Sequence, residues 1–311
     1  MGVASGSGRT VVAECMFVLA RALTATALSE VHRSSLSGGA VGQARESSHT
    51  RWRGNLMTVH MEHMRPEELD KRRDAFPVAY VPLGALEFHG YHLPVGLDAV
   101  KCHRMLIRMA ERLGGIVVPP LYLGHGSGHT GFPWTFMLPT PDALTQGLLT
   151  LMQGLEQNGI RVIVLMSGHY PNESVFDDTI TAFKQQGGTA AVVPLMEYHA
   201  FDEKGEWHGD HAAKWETSYM LALGDNLVDL SRLRENPDGT TLDQVPAPQP
   251  PEPGGWWFEK NESHPWYGVA GHEGNDPLEA SVALGDAAID TIIEWAKGKI
   301  DAALEKGGRQ V

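Results

Sequence analysis

Four side chains that can bind metal ions lie close together after an apolar run with strand character, namely Glu87, His89, His92 and Asp98. Charged groups at the carboxyl end of a strand are costly unless they are solvated, paired or bound to an ion. In an extended segment, the two-residue period places Glu87 and His89 on one side, whereas His92 falls out of that register. The spacing therefore predicts half of a metal site, with His92 as the weaker candidate.

The segment that follows can return Asp98 to the same place. Residues 91–97 can loop back because Pro94 stiffens the chain and Gly96 permits a turn. Asp98 would then project from the start of the next helix, where its carboxylate could bridge two cations. The alternative is a solvated loop that happens to be rich in histidine and acids.

Composition limits the classes of protein to which this chain can belong. A chain of 311 residues with 42% hydrophobic residues can bury a globular core. The formal charge of -13 argues against a nucleic-acid or anionic-membrane partner. Two cysteines, Cys15 and Cys102, provide neither a disulfide framework nor a cysteine zinc cluster, so any metal must bind histidines and carboxylates. This cysteine usage suits a reducing compartment, and we expect a cytoplasmic protein.

The first residues differ in character from the rest of the chain. Residues 1–56 are rich in Gly, Ser, Ala and Arg and have no sustained strand or helix period. The apolar stretch 11–28 is interrupted by Glu14 and Arg21, which excludes a membrane span there. We predict a disordered extension over 1–56, explained by an upstream start-site artefact, and a single domain over 57–311.

Strands and helices alternate from Pro77 onward, which predicts a three-layer α/β/α fold with a mostly parallel central sheet. Ligands of such sheets bind beyond the carboxyl ends of the strands, and a segment rich in reactive side chains follows each predicted strand. We expect these segments to converge in one cleft. The apolar periods predict strands over 78–83, 116–122, 162–166 and 190–195, and helices over 99–113, 141–157 (capped by Thr140), 174–186, 211–223 and 277–304.

Together these motifs resemble the creatininase, or creatinine amidohydrolase, family of metal-dependent hydrolases. The similarity covers about residues 75–225, and it is the combination of motifs that is specific. The family pattern Glu-x-His-Gly-x-His-Leu-Pro with a later Asp is matched over 87–98, GHxxN over 168–172, FPGT nearly over 132–135, and HAGxxETS nearly over 211–218.

The resemblance implies two divalent cations, zinc and/or manganese, bridged by Asp98. Glu87 and His169 would bind one ion, and His89 would bind the other. It also implies a metal-activated hydroxide as nucleophile and His211 as the acid/base that protonates the leaving nitrogen.

One position departs from the family pattern within this predicted ligand set. The family's second ion takes a glutamate where this chain has Pro171, which cannot bind a metal. Glu216 in the ETS motif or Glu173 could complete the ligands, and we favour Glu216. Glu173 is better explained as an acid in the first turn of a helix, where the helix dipole favours it.

Three further residues are candidates for contact with a substrate. By resemblance, Trp207 covers a flat substrate and Tyr170 faces it, although both could instead pack at the rim. Ser127 lies in a glycine-rich loop and is a candidate to bind polar substrate atoms, while His129 in that loop is left unassigned. Trp256, Trp257 and Trp266 could be interface anchors or a pocket lid.

The first functional hypothesis is a hydrolase of a small polar amide or cyclic amide. Pro171 and Trp134 depart from the creatininase pattern, so a formamide, a peptide precursor or the ring carbon–carbon bond of an inosose are alternative substrates within the family. A metal-binding protein without catalysis is the alternative from another class. A nucleotide site is disfavoured because the glycine segment lacks the phosphate-loop lysine and GxGxxG spacing. The family also implies a homo-oligomer, commonly a hexamer.

Overall fold

The computed structural model describes residues 58–202, 209–224, 226–250 and 254–307, so the predicted extension over 1–56 lies outside the described residues. The described residues all belong to one compact unit, Asn55–Val311. The helices are α1 (Pro66–Ala75), α2 (Leu97–Leu113), α3 (Asp142–Gln157), α4 (Glu173–Gln185), α5 (His199–Asp202), α6 (Lys214–Leu223) and α7 (Val282–Gly307). The strands are β1 (Val78–Gly84), β2 (Ile116–Val117), β3 (Leu121–Tyr122), β4 (Gly124–His125), β5 (Met137–Leu138), β6 (Val162–Ser167), β7 (Ala191–Leu195), β8 (Trp257–Phe258) and β9 (Ala270–Gly271).

The central sheet has the order β2-β1-β6-β7, and its described strand pairs are all parallel. Strand β3 pairs with the far end of β1, beyond β2. The single strand predicted over 116–122 is therefore wrong, because Pro119 and Pro120 interrupt it and proline has no N–H for the ladder. The break leaves two short strands on the same edge of β1.

Alternating side chains of β1 and β6 fill two cores, one on each face of the sheet. Tyr80 and Val164 belong to a core with residues of α2, α6 and α7, whereas Val81 and Leu165 belong to a core with residues of α3 and α4. Because strand side chains alternate with period two, a fully apolar strand must be covered on both sides. The observed architecture is the α/β/α arrangement that the sequence predicts.

Several helix boundaries differ from the predicted ones. Helix α6 begins at Lys214 rather than His211, and His211 instead forms an antiparallel bridge with Ala270. Asp210 accepts the N–H groups of Trp215 and Glu216 and so satisfies the free donors of the first turn of α6. Because the Asp210 carboxylate caps the helix at this point, His211 lies before its first turn.

Two other helix starts are also shifted. Helix α3 has Pro141 at its cap position, and Thr140 bonds the side chain of Asp142 instead of capping the backbone. The segment Pro277–Glu279 is a separate 3-10 turn, and α7 begins five residues later than predicted, at Val282. Within the described ranges, no helix combines the length and apolarity that a bilayer span requires.

Candidate metal centre

The candidate centre lies where β1 and β6 end side by side. Glu87 follows β1 and His169 follows β6, as expected for ligands at the carboxyl ends of neighbouring parallel strands. Asp98 lies in the first turn of α2, at the start of the helix as the loop analysis predicts. All three side chains are buried.

Glycines at the two strand ends let Asp98 approach this closely. A Cβ atom on Gly84 would lie 2.1 Å from the backbone nitrogen of Ala99. A Cβ atom on Gly168 would lie 2.2 Å from the backbone carbonyl oxygen of Asp98. Both distances are far below van der Waals contact, so only glycine permits the start of α2 to rest on both strand ends.

One half of the centre consists of Glu87, His169 and Asp98. His169 Nε2 lies 2.7 Å from the carbonyl oxygen of Gly126, and because a carbonyl only accepts, Nε2 carries the proton. The other nitrogen, Nδ1, lies 2.8 Å from Glu87 Oε2 and 3.2 Å from Asp98 Oδ2. A ring nitrogen that faces two carboxylate oxygens needs a cation there, either a proton or a metal ion.

The other half consists of His89, Glu216 and the same Asp98. His89 Nδ1 donates to the backbone carbonyl of Glu87 at 2.9 Å, which directs Nε2 toward the carboxylates. Nε2 lies 3.0 Å from Asp98 Oδ1 and 3.6 Å from Glu216 Oε2, and it is buried with no hydrogen-bond partner among the described residues. This half repeats the imidazole-between-carboxylates arrangement of the first.

Asp98 presents one oxygen to each half. Oδ1 faces His89 and Oδ2 faces His169, and Oδ2 is buried without a hydrogen-bond partner among the described residues. Burial alone would raise the pKa of Asp98, but the two histidines outweigh it and lower that pKa. This geometry would allow the Asp98 carboxylate to bridge two cations.

The charges of the centre fit two bound cations. Burial alone would lower the pKa of both histidines, but the carboxylates around them raise it to about 9 for His89 and about 10 for His169. Such pKa values reflect an excess of buried negative charge, which divalent cations would neutralise. Within each half the three ligand atoms lie within 4.8 Å of one another, and the mixed imidazole and carboxylate donors suit zinc or manganese.

The structure separates the two candidates for the remaining ligand. Glu216 is buried beside His89, whereas Glu173 is half exposed in the first turn of α4. Glu173 accepts from Tyr198 at 2.5 Å and pairs with His199 at 2.7 Å, so both of its oxygens are engaged away from the centre. His92 is also outside both halves, since its Nε2 lies 3.0 Å from the Thr217 hydroxyl.

His211 lies against the His89 half. Its ring stacks on His89 with centroids 4.2 Å apart and on His129 at 3.7 Å. Nε2 donates to the carbonyl oxygen of Phe88 at 2.8 Å, so Nδ1 is the nitrogen that can accept a proton. Burial, with the charges of His89 and His129, lowers the pKa of His211 well below its usual value and keeps the ring neutral.

A cavity of about 190 Å³ opens onto the centre. Ser127 and Tyr170 line it, but the Ser127 hydroxyl donates to Glu87 and the Tyr170 hydroxyl donates to Glu197 at 2.8 Å. Trp256 also lines the cavity, while Trp257 and Trp266 are buried in a separate apolar core. Trp207, the predicted cover of the substrate, lies outside the described residues.

Three charged residues at the centre were not assigned a role from the sequence. Lys101 is fully buried and donates to Glu197 and to Glu216 Oε1, the latter at 2.6 Å. Lys101 is three residues after Asp98 on α2, and residues at that spacing lie on the same helix face. This spacing could have identified Lys101 from the sequence. Glu197 follows the end of β7, as Glu87 follows β1, and Asp210 lines the cavity next to His211. Burial, with the charge of Glu216, raises the pKa of Asp210 to about 8.

Several known proteins are similar to this chain in sequence. The chain is 32% identical to the creatinine amidohydrolase of Pseudomonas putida over 184 residues, which cover 52% of this chain and 70% of that protein. It is 29% identical to the 3-dehydro-scyllo-inosose hydrolase of Thermotoga maritima (53% and 56% covered) and 28% identical to the mycofactocin precursor peptide peptidase of Mycolicibacterium smegmatis (49% and 60%). The matches to the last two span less than two thirds of their length.

Solved structures extend the similarity to most of the chain. A creatininase structure described as the Mn form superposes with a TM-score of 0.60 at 26% identity, covering 80% of this chain and 98% of that one. A creatininase variant described as Zn-Zn type superposes with a TM-score of 0.58 over the same shares, also at 26% identity. The sequence model of the family described as creatinine amidohydrolase matches residues 62–298. A match over most of its length, with these relatives and this fold, makes the chain a member of the creatininase family.

Proposed function

We propose that this protein is a metal-dependent hydrolase that cleaves a C–N bond of a small polar amide or cyclic amide. The observation that carries the proposal is the pair of three-ligand groups that share Asp98, one with Glu87 and His169 and one with His89 and Glu216. Each group has three protein ligands, which leaves coordination positions for water and substrate. Curated relatives that include two hydrolases and a peptidase support an enzyme over a non-catalytic binder.

The ligands would hold two divalent cations, which supply an acidified water and polarise the carbonyl under attack. His211 is placed to move the proton that hydrolysis requires. Its Nδ1 accepts a proton as water adds to the carbonyl carbon, and it returns that proton to the nitrogen as the C–N bond breaks. The bond from Nε2 to the Phe88 carbonyl holds the ring in the tautomer that this role needs.

The size of the cavity supports a small substrate. At about 190 Å³ it is smaller than the roughly 300 to 1,000 Å³ typical of drug-sized ligand sites. Its lining combines carboxylates and histidines with the aromatic rings of Tyr170 and Trp256. These features favour a compact polar ring or amide over an extended peptide. Pro171, which replaces a family glutamate in the lining, is the reason to test formamides and inososes beside creatinine.

The decisive experiment couples metal content to turnover. We expect about two equivalents of zinc or manganese at the central ligands of each chain and hydrolysis of one class among creatinine, formamides and cyclic polyols. His211→Ala should keep the metal and lower kcat by roughly 100-fold or more. The exposed His63→Ala is the matched control and should retain activity. Equal turnover by His211→Ala and wild type would remove His211 from the mechanism, and failure to bind metal after reloading would refute the proposal.

We also propose that the protein forms a homo-oligomer, a hexamer by resemblance, in the cytoplasm. Two large apolar side chains are exposed in and next to the segment 132–135, which nearly matches the FPGT motif. Trp134 is 72% accessible and Phe136 is 58% accessible. Contiguous exposed apolar surface often marks a protein–protein interface. Light scattering on the purified protein measures the assembly, and a monomer at micromolar concentration would contradict it.

A further inference from the structure

A second group of metal-capable side chains lies apart from the central cavity. His60 and Glu62 come from the segment that precedes α1, and His103 comes from the second turn of α2. One ligand atom from each of these three residues lies within 4.8 Å of the others. Neither the metal centre nor the proposed mechanism uses any of them.

The spacing of these atoms resembles that of the central ligands. His60 Nδ1 lies 3.6 Å from Glu62 Oε1, the same separation as His89 Nε2 from Glu216 Oε2. Tetrahedral zinc with bonds of about 2.0 to 2.2 Å places its ligand atoms roughly 3.3 to 3.6 Å apart. The two donors can therefore approach one ion with small side-chain rotations.

His103 provides the observation that points to a ligand. Its Nε2 is buried and has no hydrogen-bond partner among the described residues, although the ring stands edge-on to His60 with centroids 5.6 Å apart. A buried polar nitrogen without a partner destabilises the fold, because it has lost its hydrogen bonds to water. Burial, and then the neighbouring His60, lowers the pKa of His103, so its ring is neutral and can offer a lone pair.

We propose that His60, Glu62 and His103 form a third metal site, which binds a divalent transition ion of the zinc type. Two imidazoles and one carboxylate suit zinc, nickel or copper better than magnesium or calcium. His60 and His103 are partly exposed and Glu62 is exposed, so water can reach an ion bound there. His63 stacks on His60 at 4.9 Å and lies 3.9 Å from Glu62, so a further imidazole is adjacent.

The consequence of this site would be structural. Glu62 and His60 belong to the segment that leads into α1, and His103 belongs to the helix whose first turn carries Asp98. An ion bound by all three would fasten that segment to α2. The proposal does not depend on the reaction, because it concerns residues outside the catalytic cavity.

The test is equilibrium dialysis of the full chain against graded free Zn²⁺, with bound zinc counted by elemental analysis. Wild type should bind one equivalent of zinc more than His103→Asn does. If the variant still binds this additional zinc, its affinity should be at least about tenfold lower than that of wild type. Glu62→Gln should behave like His103→Asn, and because Glu62 is surface-accessible this variant keeps the test valid if His103→Asn does not fold. Both counts are differences from wild type, so they hold whatever the central centre binds.

His199→Asn is the matched control. It removes a histidine whose side chain is 25% exposed and lies beside the carboxylate of Glu173. This environment resembles that of His60, whose side chain is 27% exposed and lies beside Glu62. The pair of His199 and Glu173 has no third ligand within reach among the described residues. We expect His199→Asn to bind as much zinc as wild type. Equal zinc uptake by wild type, His103→Asn and Glu62→Gln would overturn the third site, as would an equal loss in His199→Asn.

Discussion

The two halves of the central site use the same donors but in different surroundings. In the half of His169, Glu87 Oε2 lies 2.8 Å from His169, and Oε1 accepts from Ser127 and lies 3.3 Å from His129. These partners line the cavity, and none of them is a permanent cation. Glu87 therefore keeps its negative charge available for an ion.

In the half of His89, the negative charge of Glu216 is partly compensated by groups of the protein itself. Its Oε1 accepts from the buried Lys101 ammonium at 2.6 Å, and its Oε2 accepts the Ala212 N–H at 2.7 Å while facing His89. A fixed positive charge at this distance in a dry site offsets much of the carboxylate's attraction for a metal ion. The comparison teaches that equal donor sets need not bind equally, and we expect the ion beside His89 to be held more weakly.

The largest effect should come from the residue that the halves share. Asp98→Asn keeps the shape of the side chain but removes the charge between the two positions, so both ions should be lost. Measured in a Glu62→Gln background, which lacks one ligand of the proposed third site, elemental analysis should fall from about two equivalents to near zero, because loss of a ligand should exceed the 10- to 100-fold typical of its supporting residues. Full metal occupancy of both central positions in Asp98→Asn would contradict the bridging role of Asp98.

A smaller effect should follow from a change confined to one half. Glu216→Gln removes the carboxylate beside His89 and leaves Glu87 and His169 intact, so one of the two ions should be lost. In wild type, the same ion should leave before the other central ion during a chelator titration, with an affinity about tenfold lower. Unchanged stoichiometry in Glu216→Gln would place the remaining ligand elsewhere.

Lys101→Met tests the cause of the difference. Without the ammonium, no fixed positive charge offsets the Glu216 carboxylate, and the ion beside His89 should bind about tenfold more tightly in a chelator competition. The metal-free variant should lose roughly 3 to 5 kcal/mol of unfolding free energy in denaturant, since two carboxylates lose their buried partner. Adding Glu197→Gln should recover most of that loss. Weaker binding in Lys101→Met would mean that the lysine mainly positions Glu216.

The smallest effect is expected from substitution of Glu173, whose carboxylate lies away from the centre. Glu173→Gln should leave metal content unchanged and alter stability by no more than about 0.5 kcal/mol, because Glu173 is half exposed. Elemental analysis and denaturant unfolding check both expectations. A lost equivalent of metal here would return Glu173 to the ligand set.

The sequence was sufficient for the local parts of this molecule. Continuous apolar runs placed three of the four main strands within about a residue of their observed bounds, since parallel strands buried on both faces are apolar throughout. The strand pattern also predicted that the segments carrying Glu87, His89 and His169 meet at one sheet edge. The resemblance to the family then grouped these residues with Asp98 as ligands. The errors of the sequence-based predictions were equally local, as at Pro119 and Pro120 and at the start of α6, where a cap residue decided the boundary.

Tertiary structure decided what depends on distant residues. Glu173 and Glu216 were both possible ligands in the sequence, and only packing brought Glu216 to His89 while Tyr198 and His199 engaged Glu173. The partner of Glu216, Lys101, is 115 residues away along the chain. Local sequence patterns report which face of an element is buried, but the pairing of buried charges depends on which elements pack together, and that is settled only by the folded core.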